Sequence, residues 1–408
     1  MMKELNKSSL NEYDVLTVRS IQDIETIRDV WDKMQTHPNS DIDFYLTIIS
    51  SLGRVIRPHV ILISKDGIPS ALAVGRIEDL EFEFNFGYKT LYKTPVRTFT
   101  LIYEGILGDA SPENCKILLT EFRNILKQEE ADIIYLSNIQ SGSPLYNLSS
   151  TIPKHLSRDH FPISNVHWKM SLPPDMNAFF SSRSRKHRYW LRRLERVLEK
   201  DYPGNITTKS FVEEKDLNQL FTDAESISQK TYQRKLEGGF IDNETTRKFY
   251  SFLIEKSLLR AYVLYIEEKP AAYWIGYQYG DTFHLRVTGY DPTFRHYETG
   301  TILFLKMLED LCAINKLNFI DFGFGDAPYK RRFGNQSWNE SSIYIFPQSF
   351  RGIFLNTGRT VTSMIYQFSI LLLKRFGLLE KVKREWRTIL SNKTTGNNDS
   401  NPSESHQK

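Results

Sequence analysis

The stretch from Val287 to Lys330, VTGYDPTFRHYETGTILFLKMLEDLCAINKLNFIDFGFGDAPYK, constrains the fold of this chain more than any other. Within it Ile302, Leu303, Phe304, Leu305, Met307, Leu308, Leu311 and Cys312 make a helix-length run that is apolar on nearly every side. Such a helix cannot lie on a surface and must be enclosed by other elements. A strand end and a turn at Tyr290-Asp291-Pro292 precede it, and a short β-rich run, Leu317–Phe322, follows it. Strand, turn, buried helix and strand in that order specify an α/β protein with a mixed sheet. The loop entering the helix carries Arg295, His296, Thr299, Gly300 and Thr301. Thr299 is the expected N-cap, and Gly300 lets the backbone approach a ligand closely. Unpaired N–H groups and the positive end of a helix dipole favour an anion there, typically a phosphate. A plain helix start fits the same residues.

The element order occurs twice. HVILISKDGIPSALAVG (59–75) aligns with RAYVLYIEEKPAAYWIG (260–276), matching Pro69 with Pro270, Ala71 with Ala272 and Gly75 with Gly276. A helix at Pro112–Gln128 answers the buried helix, and a strand at Ala131–Asn138 answers Leu317–Phe322. Shared turn positions in a shared order indicate two copies of one unit. The expected units are 13–172 and 173–346, with Pro173-Pro174-Asp175 at the boundary, a helical extension at 347–390 and a disordered tail at 391–408. Before the first unit's helix stands Leu107-Gly108-Asp109-Ala110, acidic where the second copy is basic, so the first copy has lost its anion site.

At 408 residues, 40% hydrophobic and 25% charged, the chain is ordinary for a globular protein of two domains. A net charge of +4 does not mark a DNA-binding protein. Two cysteines, Cys115 and Cys312, both in apolar helical patterns, read as buried thiols in a reducing compartment. With a polar start and no run of membrane-spanning length, the expectation is a cytoplasmic protein. The scattered histidines and cysteines show no ligand spacing, so no metal is expected. Neither a nucleophile elbow nor a phosphate-binding Walker loop occurs.

Ser181–Lys200 is the most basic segment, an amphipathic helix that is either a solvated connector or an anion-binding face. Ser210 is the expected cap of the helix that leads into SQKTYQRKLEGGF. There Gln229, Tyr232, Arg234 and Lys235 stand near a turn, where they can line an acceptor pocket or simply finish a helix. The extension carries an apolar run, Met364–Leu373, followed by Lys374-Arg375-Phe376, which either packs on protein or lies on a membrane surface.

SQKTYQRKLEGGF, YDPTFRHYETGTILF and DFGFGDAPYKRRFG resemble the CelD/BcsL-type acetyltransferases of the GNAT superfamily, associated with cellulose and other exopolysaccharide biosynthesis. The paired units are also similar to FemAB-type aminoacyltransferases. The resemblance implies two tandem GNAT-like units and an acyl-CoA, most simply acetyl-CoA, bound in the second. Its pyrophosphate would lie over Gly300 and Thr301, with Arg295, His296 and Thr299 around it. The GNAT pyrophosphate turn is usually R/Q-x-x-G-x-G/A, whereas here Arg295 precedes Gly300 by five residues. Acyl transfer needs a polarised carbonyl, a base and an acid for the departing thiolate. A bulge in Arg286–Tyr290 would supply amides, Asp321, Asp326 or Glu298 a base, with Asp326 best placed, and Tyr329 the acid. Asp321 would equally serve to hold its loop, and Lys330, Arg331 and Arg332 to bind acceptor or cofactor anions. The implied acceptor is a sugar of a surface polysaccharide or its precursor, in peripheral contact with a membrane or a synthesis complex. Transfer from aminoacyl-tRNA and a non-catalytic role in glycan assembly remain as alternatives.

Overall fold

The structure, a computed structural model, describes residues 13–87, 89–231, 234 and 239–377. The tail at 391–408 and the end of the extension lie outside them. The first half runs β1 (Tyr13–Val18), α1 (Ile21–Glu25), α2 (Arg28–Met34), α3 (Ile42–Ser51), β2 (Val55–Lys65), β3 (Ile68–Phe86), β4 (Lys89–Gly108), α4 (Pro112–Lys127), β5 (Ile133–Gln140), α5 (Pro144–Thr151) and β6 (Ile163–Ser171). After α6 (Met176–Ser181) and α7 (Arg185–Asp201) come β7 (Ile206–Phe211), α8 (Leu217–Ser228), α9 (Glu244–Glu255), β8 (Leu259–Ile266), β9 (Lys269–Tyr279) and β10 (Thr282–Tyr290). The chain continues through α10 (Thr299–Ala313), β11 (Phe319–Phe324), α11 (Pro328–Phe333), β12 (Gln336–Ile345) and α12 (Phe350–Arg375).

Among the described residues all twelve strands join one sheet in the order β1-β2-β3-β4-β5-β12-β6-β11-β10-β9-β8-β7. From either end inward the series is the same: three antiparallel pairings, then one parallel pairing whose crossover is a buried helix. Strands β5 and β11 therefore hold equivalent places. At the centre two strands are exchanged. β6 pairs with β11, β12 pairs with β5, and the two run antiparallel to each other with Val166 opposite Asn339. The exchange gives the inner edges of both half-sheets a partner, so no backbone edge is left open between them.

The repeat has a packing cause at its matched glycines. A Cβ on Gly75 would lie 2.6 Å from the ring of Phe99. On Gly276 it would lie 2.5 Å from Phe283 and 2.3 Å from the His284 carbonyl oxygen. Each phenylalanine crosses the preceding strand, and only glycine leaves it room. Helix α10 is enclosed as its composition requires, with Leu303, Phe304, Met307, Leu308 and Leu311 in one core with Phe283, Ile320 and Phe333. In the first half α4 packs likewise on Phe99, Leu101, Ile134 and Leu136.

Three local expectations are corrected. Glu298, in the left-handed region at φ 52°, caps α10, and Thr299 is its first helical residue. Ser210 lies within β7, and α8 starts at Leu217 behind a short 3-10 turn. Cys115 is buried, but Cys312 is only half-buried.

Candidate functional site

The parallel strands β10 and β11 pair only from Thr282 to His284, opposite Phe319 to Asp321, and then part. Their divergence opens a cleft within the second half of the sheet. A register shift between Leu285 and Val287 places a bulge at Arg286 on the cleft's wall, where backbone groups leave the ladder. The N-terminus of α10 faces the same region, since Trp274 Nε1 of β9 donates to the Gly300 carbonyl at 2.9 Å. Tyr329, from the first turn of α11, sets its ring edge-on to Trp274 at 5.2 Å. Burial raises its phenol well above the usual range. A Cβ on Gly300 would reach nothing closer than Tyr290 at 3.9 Å, so no protein atom fills the space over this turn.

Charge at this helix end is balanced by Arg332, one of the three basic residues expected to bind anions. The Glu298 carboxylate would oppose a phosphate, but Arg332 pairs with it at 3.2 Å. The same guanidinium lies 4.4 Å over the Trp190 ring of α7. Arg295 and His296 are exposed on the turn before the helix, with the His296 ring tilted against that of Tyr297, centroids 3.7 Å apart. The equivalent place in the first half is filled. Asp109 accepts hydrogen bonds from the Ser111 amide and from Asn114 Nδ2, each at 3.0 Å, at the start of α4. Gly108 is also enclosed there, because a Cβ would lie 2.5 Å from the Ser70 carbonyl.

On the opposite face of the sheet the two halves meet in a polar cluster. His167 Nε2 of β6 lies 2.7 Å from Asp321 Oδ1 of β11. His167 Nδ1 lies 3.6 Å from Glu340 Oε1 of β12. Burial by itself would lower the imidazole's pKa, but the bonds to Asp321 and Glu340 raise it to about 9, so it is an imidazolium. Burial would likewise raise Asp321, whose bonds from His167 and from the Gly323 amide hold it below the usual carboxylate range. His284 Nδ1 stands 3.7 Å from Asp321 Oδ2. Burial lowers His284 to about 4 and His37, whose ring is 5.1 Å away, to about 3.

The first half contributes two further groups from β4. Between Gly75 and Ala73 the register jumps from Leu101 to Ile106. Residues 102–105 therefore leave the ladder, with Glu104 in the left-handed region at φ 54°. Tyr103, thrown inward by this bulge, donates its hydroxyl to Glu340 at 3.3 Å and lies 3.4 Å from His167 Nδ1. Glu104 is open to solvent yet walled by protein. Burial first, and then the Glu340 charge, raise its carboxyl pKa. Non-glycine residues held at positive φ beside a charged cluster are a recurrent mark of functional sites.

The cluster borders a groove of about 700 Å³ between the halves, lined by residues of both. Its walls include Tyr45, Tyr103, Tyr135, Phe249, Tyr250 and Tyr277, with Arg286 of the β10 bulge among them. Tyr277 stacks on His284 at 5.6 Å and so joins the groove to the cluster.

The other residues singled out from the sequence are placed as follows. Asp326, expected as the best-placed base, is a half-exposed carboxylate paired with Arg331 at 2.9 Å, outside the cluster. Lys330 is buried, and its ammonium bonds to the Gly323 and Phe324 carbonyls. It holds the end of β11 instead of facing a ligand, and burial lowers it to about 8. Gln229 donates to Glu225 at 3.1 Å, and Arg234 to Glu225 and the Phe240 carbonyl, so both hold their loop. Tyr232 and Lys235 lie outside the described residues. Asp321 both holds the loop through Gly323 and anchors the cluster. His37, His167, His284, Tyr103, Glu104 and Glu340 carried no sequence signal, because partners such as His167 and Asp321 lie 154 positions apart.

Among the described residues one group has metal-ligand proximity: His37, His284 and Asp321, with ligand atoms within 4.8 Å of one another. His37 Nδ1 accepts the Asn39 amide at 3.2 Å, however. The neutral ring then carries its proton on Nε2 and presents a donor, so this imidazole has no lone pair left for an ion.

Residues 185–331 match the family described as acetyltransferase (GNAT) domain. No curated protein matches the chain. Among solved structures the chain is similar to FemX, at 11% identity and a TM-score of 0.52, covering 86% of this chain and 100% of that one. It is also similar to a conserved protein of unknown function from Bacteroides thetaiotaomicron, at 11% identity and a TM-score of 0.50, covering 84% and 100%. At that identity the likeness is one of fold. The chain thus has a mixed α/β fold and carries, at 185–331, an acetyltransferase-type domain whose reaction class is acyl transfer, for which acyl-CoA is the usual co-substrate.

Proposed function

From the premise that 185–331 is a GNAT-type acetyltransferase domain, we propose that this chain transfers an acyl group, most simply acetyl, from acyl-CoA to a sugar. The sugar belongs to a surface polysaccharide or its precursor. One observation carries the reading: the aromatic groove between the halves includes in its wall Arg286, the bulged residue of β10. Tyrosine and phenylalanine faces suit the C–H faces of sugar rings, while Arg286 meets sugar oxygens. The motifs resembling CelD/BcsL-type enzymes support the same acceptor class.

Each residue then has a role. The α10 N-terminus, Gly300 and Arg332 hold the donor's phosphates. Backbone amides at the Arg286 bulge polarise the acyl carbonyl. Glu104, with its raised proton affinity, takes the proton of the attacking hydroxyl or amine. Tyr329 gives a proton to the departing thiolate. The His167–Asp321–Glu340 network fixes the base's surroundings.

The basic face of α7 favours a second reading, transfer from aminoacyl-tRNA. Arg185, Arg188, Arg192 and Arg196 line an open groove of about 750 Å³ there. Incubating the full chain with isotope-labelled acetyl-CoA and a panel of nucleotide sugars, and in parallel with aminoacyl-tRNA, separates the two by mass spectrometry. Acetylated sugar is expected. Label appearing only from aminoacyl-tRNA would overturn the proposal in favour of the second reading.

A further inference from the structure

The N-terminal half of α12 is fixed to the sheet's outer side. Arg351 pairs with Asp132 at 3.0 Å, Arg359 with Asp159 at 3.4 Å, and Asn356 donates to the Leu156 carbonyl at 2.8 Å. Gly358 lies against Phe84, where a Cβ would come within 2.3 Å of the ring. The helix's direction is therefore set by the body of the protein.

The rest of α12 presents an apolar face. Val361, Met364, Ile365, Phe368, Leu371 and Phe376 are 46–69% exposed. At 3.6 residues per turn these positions fall within an arc of about 140°, one continuous stripe. Leu91 and Tyr92 of β4, 54% and 56% exposed, add to it beside the helix, where Phe86 meets Tyr366 at 5.6 Å. Patches of this kind mark a surface that is covered in use.

Charge selects the cover. Residues 350–377 contain no aspartate or glutamate, and the last turn carries Lys374 and Arg375. The sequence beyond adds Lys381, Lys383, Arg384 and Arg387 against Glu380 and Glu385. A second copy of this helix would bring the same cations and no acid to meet them. A surface of anionic headgroups over hydrocarbon matches both the stripe and its charge. No described helix is long and apolar enough to cross a membrane.

We propose that the exposed face of α12 seats this protein on an anionic lipid surface, with the helix lying in the plane of the interface. The inference is independent of the acceptor assigned to the groove.

Flotation of the full chain with vesicles tests it. The protein should float with phosphatidylcholine vesicles containing phosphatidylglycerol and much less with phosphatidylcholine alone. Phe368→Asp combined with Leu371→Asp should abolish flotation and leave thermal unfolding unchanged, because both side chains are exposed. Lys374→Glu with Arg375→Glu should weaken binding to the anionic vesicles by about tenfold or more. The proposal is overturned if the full chain floats with neither vesicle, or if the apolar double variant floats like wild type. It is also overturned if sedimentation shows a dimer that Phe368→Asp dissociates and that binds no vesicle. Vesicle binding that appears only after removal of 378–408 would overturn it as well, since the chain's own tail would then be the cover.

Discussion

His167 Nε2 lies 2.7 Å from Asp321 Oδ1, joining a strand from the chain's first half to one from its second. This contact exists because β6 and β12 exchange places at the centre of the sheet. It makes the charge state of the cleft in one half depend on residues supplied by the other.

The proton acceptor is tested with two carboxylates. Glu104→Gln should reduce kcat by roughly 10²–10⁴-fold, the range for a general base, with acyl-CoA affinity unchanged. Asp326→Asn removes a half-exposed ion pair and should alter stability by at most about 1 kcal/mol, with turnover retained. Steady-state kinetics with calorimetric binding checks both. Wild-type turnover in Glu104→Gln would exclude it as the base.

Two glycines separate ligand space from packing. Gly300→Val should weaken acyl-CoA binding while the melting temperature changes little, since a Cβ there meets only Tyr290 at 3.9 Å. Gly276→Ala should instead destabilise the fold by about 1–3 kcal/mol or more through overpacking against Phe283 and the His284 carbonyl. Gly108 is no neutral control, because its Cβ would meet the Ser70 carbonyl. If Gly300→Val binds acyl-CoA like wild type, the phosphates lie elsewhere.

Tyr329→Phe tests the acid. The hydroxyl has no hydrogen-bond partner among the described residues, so its loss should leave thermal stability near wild type. Turnover should fall, and fall less for acyl donors whose leaving thiol is more acidic. An equal loss across donors would count against proton donation.

The central cluster predicts a pH profile of stability. His167 is raised to about 9 in the folded state by Asp321 and Glu340. Its contribution is full below the unfolded histidine pKa near 6.5 and is lost as pH rises through about 9. His37 and His284 are depressed to about 3 and 4, facing one another, Asp321, His167 and Lys169. Their contribution is present above about 6.5 and is lost as pH falls. Asp321, also depressed, adds to the acid loss. Stability should peak near neutrality, and His167→Gln should remove the alkaline slope selectively. Urea unfolding from pH 5 to 10 measures this, and an unchanged slope in the variant would contradict the assignment.

The apolar run Ile302–Cys312 by itself determined a buried crossover helix, because no surface position tolerates so wide a stripe. The matched Gly75 and Gly276 declared the repeat, each being a place where a side chain would strike a phenylalanine on the next strand. Local order therefore carried the α/β class, the paired units and the turn at Gly300. Tertiary structure decided everything that depended on pairing across the halves. Strand exchange set His167 beside Asp321, a bulge in β4 turned Tyr103 inward, and Lys330 was drawn onto backbone carbonyls while Asp326 met Arg331 at the surface. Such contacts join residues far apart in the chain whose types are common and whose spacing has no period, so only the folded sheet brings them together.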